Sequence, residues 1–128
     1  MTKRAIGIGG IFFKARDPKG LGAWYAKHLG VEAPDGHAMF PWRHADAPDK
    51  EGMTVWSVKA ADTTYFAPSQ APFMINYIVE DLDAVLAALR AEGVSVDEKR
   101  DEGPFGRFGW AMDPEGNRFE LWEPPKEG

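Results

Sequence analysis

The sequence predicts an α+β fold of two tandem βαβββ modules with pseudo-twofold symmetry, their sheets curled into one cleft. Two observations carry this prediction. Strand-like and helical segments come in the same order in both halves, and matching residues lie at a nearly constant spacing. Ile75 follows Ile11 by 64 positions, Asp113-Pro114-Glu115-Gly116 follows Asp49-Lys50-Glu51-Gly52 by 64, and Gly93 follows Gly30 by 63. Since the chain has 128 residues, a unit of this length fills it twice. It reads as a single domain over 1–128, with module one at 1–64 and module two at 65–128.

The elements follow in order. Ile6 to Ala15 and Phe73 to Val79 are rich in Ile, Phe, Tyr and Val and predict the first strand of each module. Leu21, Trp24, Tyr25, His28 and Leu29 recur at helical spacing before Gly30. Leu82, Val85, Leu86 and Leu89 do the same between Asp81, a natural N-cap, and Gly93. Three strands are expected after each helix, which makes eight in all. In module one they fall near Val31–Glu32, Ala38–Trp42 and Met53–Lys59, and in module two near Val94–Lys99, Arg107–Met112 and Asn117–Trp122. Ala45 to Lys50 is expected as a loop, and Tyr65 to Pro72 as the linker between modules.

Composition removes several function classes. An apolar fraction of 44% and a charged fraction of 27% are ordinary for a globular domain. The net charge is −5 and the basic residues are scattered, so nucleic acid is not an expected partner. With no cysteine, disulfides and thiolate chemistry are excluded. The start Met1-Thr2-Lys3-Arg4 and the Gly-rich run to Phe13 lack the form of a signal peptide, and no stretch has the length of a membrane span. A cytoplasmic location is expected. Gly7-Ile8-Gly9-Gly10 lies inside a strand, and Glu102 to Trp110 lacks the Lys-Ser/Thr ending of a phosphate loop, so neither is a nucleotide motif. Ser57 and Ser69 have no His-Asp arrangement to activate them.

Strand parity then sorts side chains between faces. Phe73, Ile75, Tyr77 and Val79 form the bulky face that a helix covers, which leaves Met74, Asn76 and Ile78 toward the cleft. Subtracting 64 puts Gly10, Phe12 and Lys14 with them. On the last strand, Phe119 and Leu121 go with the helix, while Arg118, Glu120 and Trp122 face the cleft. Their partners at the same spacing are Thr54, Trp56 and Val58. Glu120 is the most informative residue, because a carboxylate among aromatics needs a partner, a metal or a raised pKa.

The run Asp113-Pro114-Glu115-Gly116-Asn117-Arg118-Phe119-Glu120-Leu121-Trp122-Glu123-Pro124 resembles the closing signature of vicinal-oxygen-chelate domains. This superfamily includes glyoxalases, bleomycin-resistance proteins and ring-cleaving dioxygenases. Phe73 to Asp83, and Trp24-Tyr25 with Leu29-Gly30, resemble its other recurring pieces. The resemblance implies a cleft between two βαβββ modules, often completed by a dimer. It also implies metal-ligand positions at Gly10, Trp56, Met74 and Glu120, where glyoxalase-like members carry His or Gln, Glu, His and Glu. Only Glu120 matches, and a shift of one residue in module one offers Ser57 instead. Divalent Zn, Ni or Fe sites need three or four N/O ligands, and His28, His37 and His44 fall on none of these positions. No metal and no other cofactor is therefore expected.

Two function classes follow. The first is metal-independent binding of a small organic molecule by Phe12, Lys14, Trp56, Met74, Asn76 and Trp122. In that reading Asn76 fixes orientation, Lys14 pairs with an anionic group and Glu120 with a cationic one. The second is a lyase or isomerase using Glu120 as general acid/base on a carbonyl metabolite. A metal enzyme with unexpected ligands is a weaker third. The exposed sheet edges of an open cleft predict a homodimer.

Overall fold

The computed structural model describes residues 4–126, so the opening Met1-Thr2-Lys3 lies outside the described residues. Nine elements follow one another: β1 (Ala5–Ala15), α1 (Pro18–Leu29), β2 (His37–His44), β3 (Ala47–Ala60), β4 (Phe73–Val79), α2 (Leu82–Ala91), β5 (Val96–Gly103), β6 (Gly106–Met112) and β7 (Arg118–Glu123). They form one seven-stranded sheet in the order β2-β3-β1-β4-β7-β6-β5, with two helices. The first strands of the modules, β1 and β4, run antiparallel at its centre, and each pairs in parallel with the last strand of its own module. This is the α+β, βαβββ-type architecture the repeat implies, with one strand fewer than expected.

The missing strand is the one expected near Val31–Glu32. Pro34 has no N–H for a ladder, and Gly36 adopts φ 89° and donates back to the Ala33 carbonyl, so the segment closes as a turn. Its Gly36 carbonyl then receives the Val58 N–H at 3.0 Å. The loop expected at Ala45 to Lys50 is also shorter. β2 and β3 join through Ala45 and Asp46 alone, and β3 begins at Ala47. Pro48 is tolerated there because β3 pairs with β1 only from Val55 onward.

The helices differ in how firmly they are held. Asp81 caps α2 by accepting from the Ala84 N–H at 3.1 Å, and the Glu123 carboxylate of β7 accepts from the Leu82 N–H at 2.8 Å. Leu82 and Leu86 are fully buried against Val79 and Leu121, with Tyr77 and Phe119 around them. That confirms the predicted helix-covered parity of β4 and β7. Asp17 caps α1 by accepting from Gly20, and Pro18 opens it, so this helix starts a turn earlier than its apolar spacing suggests. No residue of α1 is buried. Tyr25 alone packs edge-on against both Phe13 and Trp56, while Trp24 and Leu29 are 51% and 67% exposed. His28 is exposed beside Trp24, because this face of the helix has no sheet beneath it.

Stability should follow this asymmetry. Leu86→Ala leaves a cavity under α2 and should cost about 2–4 kcal/mol, whereas Leu29→Ala should stay within about 0.5 kcal/mol. Urea unfolding of the two variants measures the contrast, and equal losses would refute it.

Candidate functional site

The face of the sheet away from the helices carries a second apolar cluster of Phe12, Phe66, Met74 and Trp110, with Val55 and Phe108 packed against it. Phe12 and Met74 are direct partners across β1 and β4, and Asn76 and Glu120 across β4 and β7. Partners in a ladder share a face, so Phe12, Met74, Asn76 and Glu120 come together as parity requires. Trp110 of β6 is the antiparallel partner of Glu120 and joins them.

Trp56 does not join them. It lies against Phe13 at 5.2 Å and Tyr25 at 5.1 Å, on the α1 side of the sheet. The cause is the register of β3. Phe12 pairs with Ser57, whereas Asn76, its equivalent in module two, pairs with Glu120. The spacing in this strand is therefore 63, and one residue of slip moves every side chain to the other face. Val55, Ser57 and Lys59 face the cleft; Thr54, Trp56 and Val58 do not.

Glu120 is 1% exposed and is the centre of the site. Its Oε1 accepts from Asn76 Nδ2 at 2.6 Å, and its Oε2 accepts from Trp110 Nε1 at 2.9 Å and from the Tyr65 hydroxyl. Neither Arg118 nor Lys14 pairs with it. Arg118 instead lies over the Trp110 ring, bonds the Ala67 carbonyl and reaches Asp97 at 3.2 Å. Burial pushes the Glu120 carboxyl above its ordinary range, and the three donors and the nearby Lys59 charge offset this only partly. Burial and the Glu120 charge push the Tyr65 hydroxyl upward too, so it stays a neutral donor.

Tyr65 and Phe66 belong to the linker, which folds back over the cleft instead of running through solvent. Phe66 is fully buried and Tyr65 is 38% exposed above Glu120. The aromatic pair was legible as a signal, since two adjacent rings are costly in a solvated linker. Trp110 could have been found from its strand parity alone.

At the other end of the same face the cleft is open. A pocket of about 650 Å³ is lined by Ile6, Met53, Ile78 and Trp122 among others. Trp122 is fixed by donating Nε1–H to the Phe105 carbonyl at 2.7 Å and by stacking on Phe108. Gly9 keeps the floor thin here, because a Cβ at that position would overlap the Asn76 amide oxygen, Trp122 and Ile78. Lys14 lies at the linker end, 5.4 Å from the Phe66 ring centre.

The positions where the resemblance implies metal ligands hold Gly10, Ser57, Met74 and Glu120 once the register is corrected. Glycine offers no side-chain ligand, the Ser57 hydroxyl lies 3.5 Å from the Gly36 carbonyl, and both Glu120 oxygens already accept protein donors. This donor set does not fit a divalent ion. Among the described residues no three His, Asp or Glu side chains gather closely enough to hold one.

The raised Glu120 carboxyl sets a pH dependence. Its cost to the fold is absent below the ordinary carboxyl range, where it is protonated in both states, and grows as pH rises through the raised pKa. Asn76 Oδ1 is buried without a partner. In Glu120→Gln a rotated Asn76 amide accepts from the new NH₂, while the glutamine oxygen keeps Tyr65 and Trp110. This variant should match or exceed the parent in stability at pH 8 and lose that advantage near pH 4. Tyr65→Phe should cost about 1–3 kcal/mol at pH 8, the scale of an unmet buried hydrogen bond, and less at pH 4. Thermal melts across pH test both; a Gln variant that is less stable at pH 8 would overturn the network as described.

A family model for the glyoxalase-like domain matches residues 10–122. No curated protein matches the sequence significantly. Among solved structures, the methylmalonyl-CoA epimerase of Streptomyces coelicolor, in a complex with 2-nitronate-propionyl-CoA, is 20% identical with a TM-score of 0.66. The match covers 91% of this chain and 96% of that one. The Mycobacterium tuberculosis methylmalonyl-CoA epimerase is 21% identical, with a TM-score of 0.61 over 98% of this chain and 93% of its own. A structure described as an NAD-dependent benzaldehyde dehydrogenase from Legionella pneumophila is 15% identical, with a TM-score of 0.57 over 88% and 96%. At these identities the structural matches speak for the fold alone. With the match of the family model over most of the chain, the protein belongs to the glyoxalase-like family of the vicinal-oxygen-chelate superfamily.

Proposed function

We propose that the protein binds a small, flat organic molecule in the open end of the cleft without a metal. The observation that carries this reading is the pocket of about 650 Å³ on the Glu120 face, walled by Ile6, Met53, Ile78 and Trp122. Its size suits a small ligand, and around the apolar walls stand the charged side chains of Lys50, Glu51, Glu80, Glu123 and Lys126. Phe12, Met74 and Asn76 act from beneath as the packed floor, and Trp122 is the wall a ring stacks on. Trp56 has no part in this site.

Glu120 supports a second reading as a general acid/base on a carbonyl compound. A buried carboxyl with a pKa raised by burial, next to a tyrosine hydroxyl, can serve to hold or release a proton. Because its oxygens already meet three donors, binding is the better-supported function and proton transfer needs Tyr65 to swing away.

The sheet edge at β2 supports pairing with a second copy. Met39 and Phe40 on it are 56% and 46% exposed, whereas the opposite edge at β5 is a charged run from Asp97 to Glu102 that resists pairing. Sedimentation should report a homodimer at micromolar concentration, and a monomer mass would count against it.

The uncharged fluorophore N-phenyl-1-naphthylamine tests the binding reading. It should bind with enhanced emission, and Trp122→Ala should weaken it on the order of tenfold, about one aromatic contact. No binding, or binding indifferent to Trp122, sinks the proposal. Solvent exchange of the α-proton of methylmalonyl-CoA in D₂O, abolished by Glu120→Gln, would favour the enzyme reading instead.

A further inference from the structure

The linker end of the cleft presents an unusual concentration of cations. Lys14 and Lys59 are direct partners in the β1–β3 ladder, so their side chains leave the same face side by side. Both residues are half-buried. Lys14 Nζ lies 5.4 Å from the Phe66 ring centre, and Lys59 Nζ lies 5.8 Å from that of Phe12 and 5.3 Å from that of Tyr65. Two further cations lie over Trp110, which packs with Phe12 and Phe66: Lys99 Nζ at 5.5 Å and the Arg118 guanidinium at 5.2 Å from its ring centre.

Four positive groups thus surround one aromatic cluster in a chain of net charge −5. Of these four, Arg118 is paired, with Asp97, as Arg4 is with Glu92 and Arg100 and Arg107 are with Asp83 elsewhere in the fold. Among the described residues Lys14 and Lys59 make no such ion pair. Like charges placed opposite each other in a ladder repel. The rings beneath hold the two ammonium groups in place without neutralising them. A low-dielectric wall under a cluster of one sign focuses the field outward and draws in an ion of the other sign.

We infer that Lys14 and Lys59 form an anion site that takes the acid group of a small organic acid. The flat body of that acid lies on the Tyr65 ring, which is 38% exposed. The inference rests on the reading of this cleft as a small-molecule site, and it names the ligand class as organic anions. The pair sits beside the Tyr65–Glu120 contact, and Lys59 already acts electrostatically on Glu120. An anion held there therefore reports directly to the only buried carboxyl of the cleft among the described residues.

The probes are 2-naphthoate and its uncharged counterpart 2-naphthamide, titrated by saturation-transfer NMR. Naphthoate should bind about tenfold more tightly than naphthamide at low salt, and the preference should shrink as salt screens the lysines. Lys14→Gln and Lys59→Gln should each reduce it several-fold, and Lys59→Arg should keep it. Lys27→Gln, at an exposed position of α1, should leave it unchanged. Melting curves show that the variants remain folded; Lys14→Gln should not lower the melting temperature, whereas Lys59→Gln also removes a charge that favours ionised Glu120. Equal affinity for the two probes, or a preference that survives both Gln substitutions, overturns the anion site. Failure of both probes to bind overturns it as well. N-phenyl-1-naphthylamine binding at the Trp122 end judges the cleft separately, so the two failures are distinguishable.

Discussion

One carboxylate holds the concave side of the molecule together. Glu120 on β7 gathers an amide from β4, an indole from β6 and a hydroxyl from the linker between modules. Each donor comes from a different part of the chain, so the carboxylate joins module two to the segment that connects it with module one. Burying a charge is costly, and three hydrogen bonds only moderate that cost. The linker is thereby kept on the sheet, Phe66 is driven to full burial while Tyr65 stays partly exposed, and the pocket of the cleft lies toward Trp122. The packed end and the open end of the cleft are consequences of the same contact.

Most of the fold was legible because its signals are local and repeated. The bounds of β4 and α2 agree with the apolar run from Phe73 to Val79 and the helical spacing from Leu82 to Ala91. Parity then placed Asn76 and Glu120 on one face and Tyr77 and Leu121 on the other. The errors were errors of register and of turn chemistry. A constant spacing of 64 cannot show that β3 slips by one, and that single residue carried Trp56 to the wrong face. The strand expected at Val31 ignored Pro34 and Gly36. Tyr65 and Phe66 were read as linker because Pro68 and Pro72 lie just after them, although two rings so close together argue for a buried place.

A fold constrains the place of a site more than its chemistry. The sheet order brings four positions to the centre of the concave face whatever residues occupy them. Here those positions hold a glycine, a serine, a methionine and a glutamate, a set suited to packing and to hydrogen bonding. The fold supplies a cradle, and the side chains decide what it can hold. In this chain Glu120 is a latch between sheet and linker.

The loose seating of α1 has a dynamic consequence. Its only aromatic anchor to the sheet is Tyr25, and no residue in it is buried, while α2 is tied down by two buried leucines and by Glu123. Local opening free energies follow such differences in burial. Amide protons of α1 therefore belong to the fast class in native-state hydrogen exchange, and those of α2 and β4 to the slow class set by global unfolding. The two helices of one sheet are thus unequally held, α2 as part of the persistent core and α1 as the element that opens first.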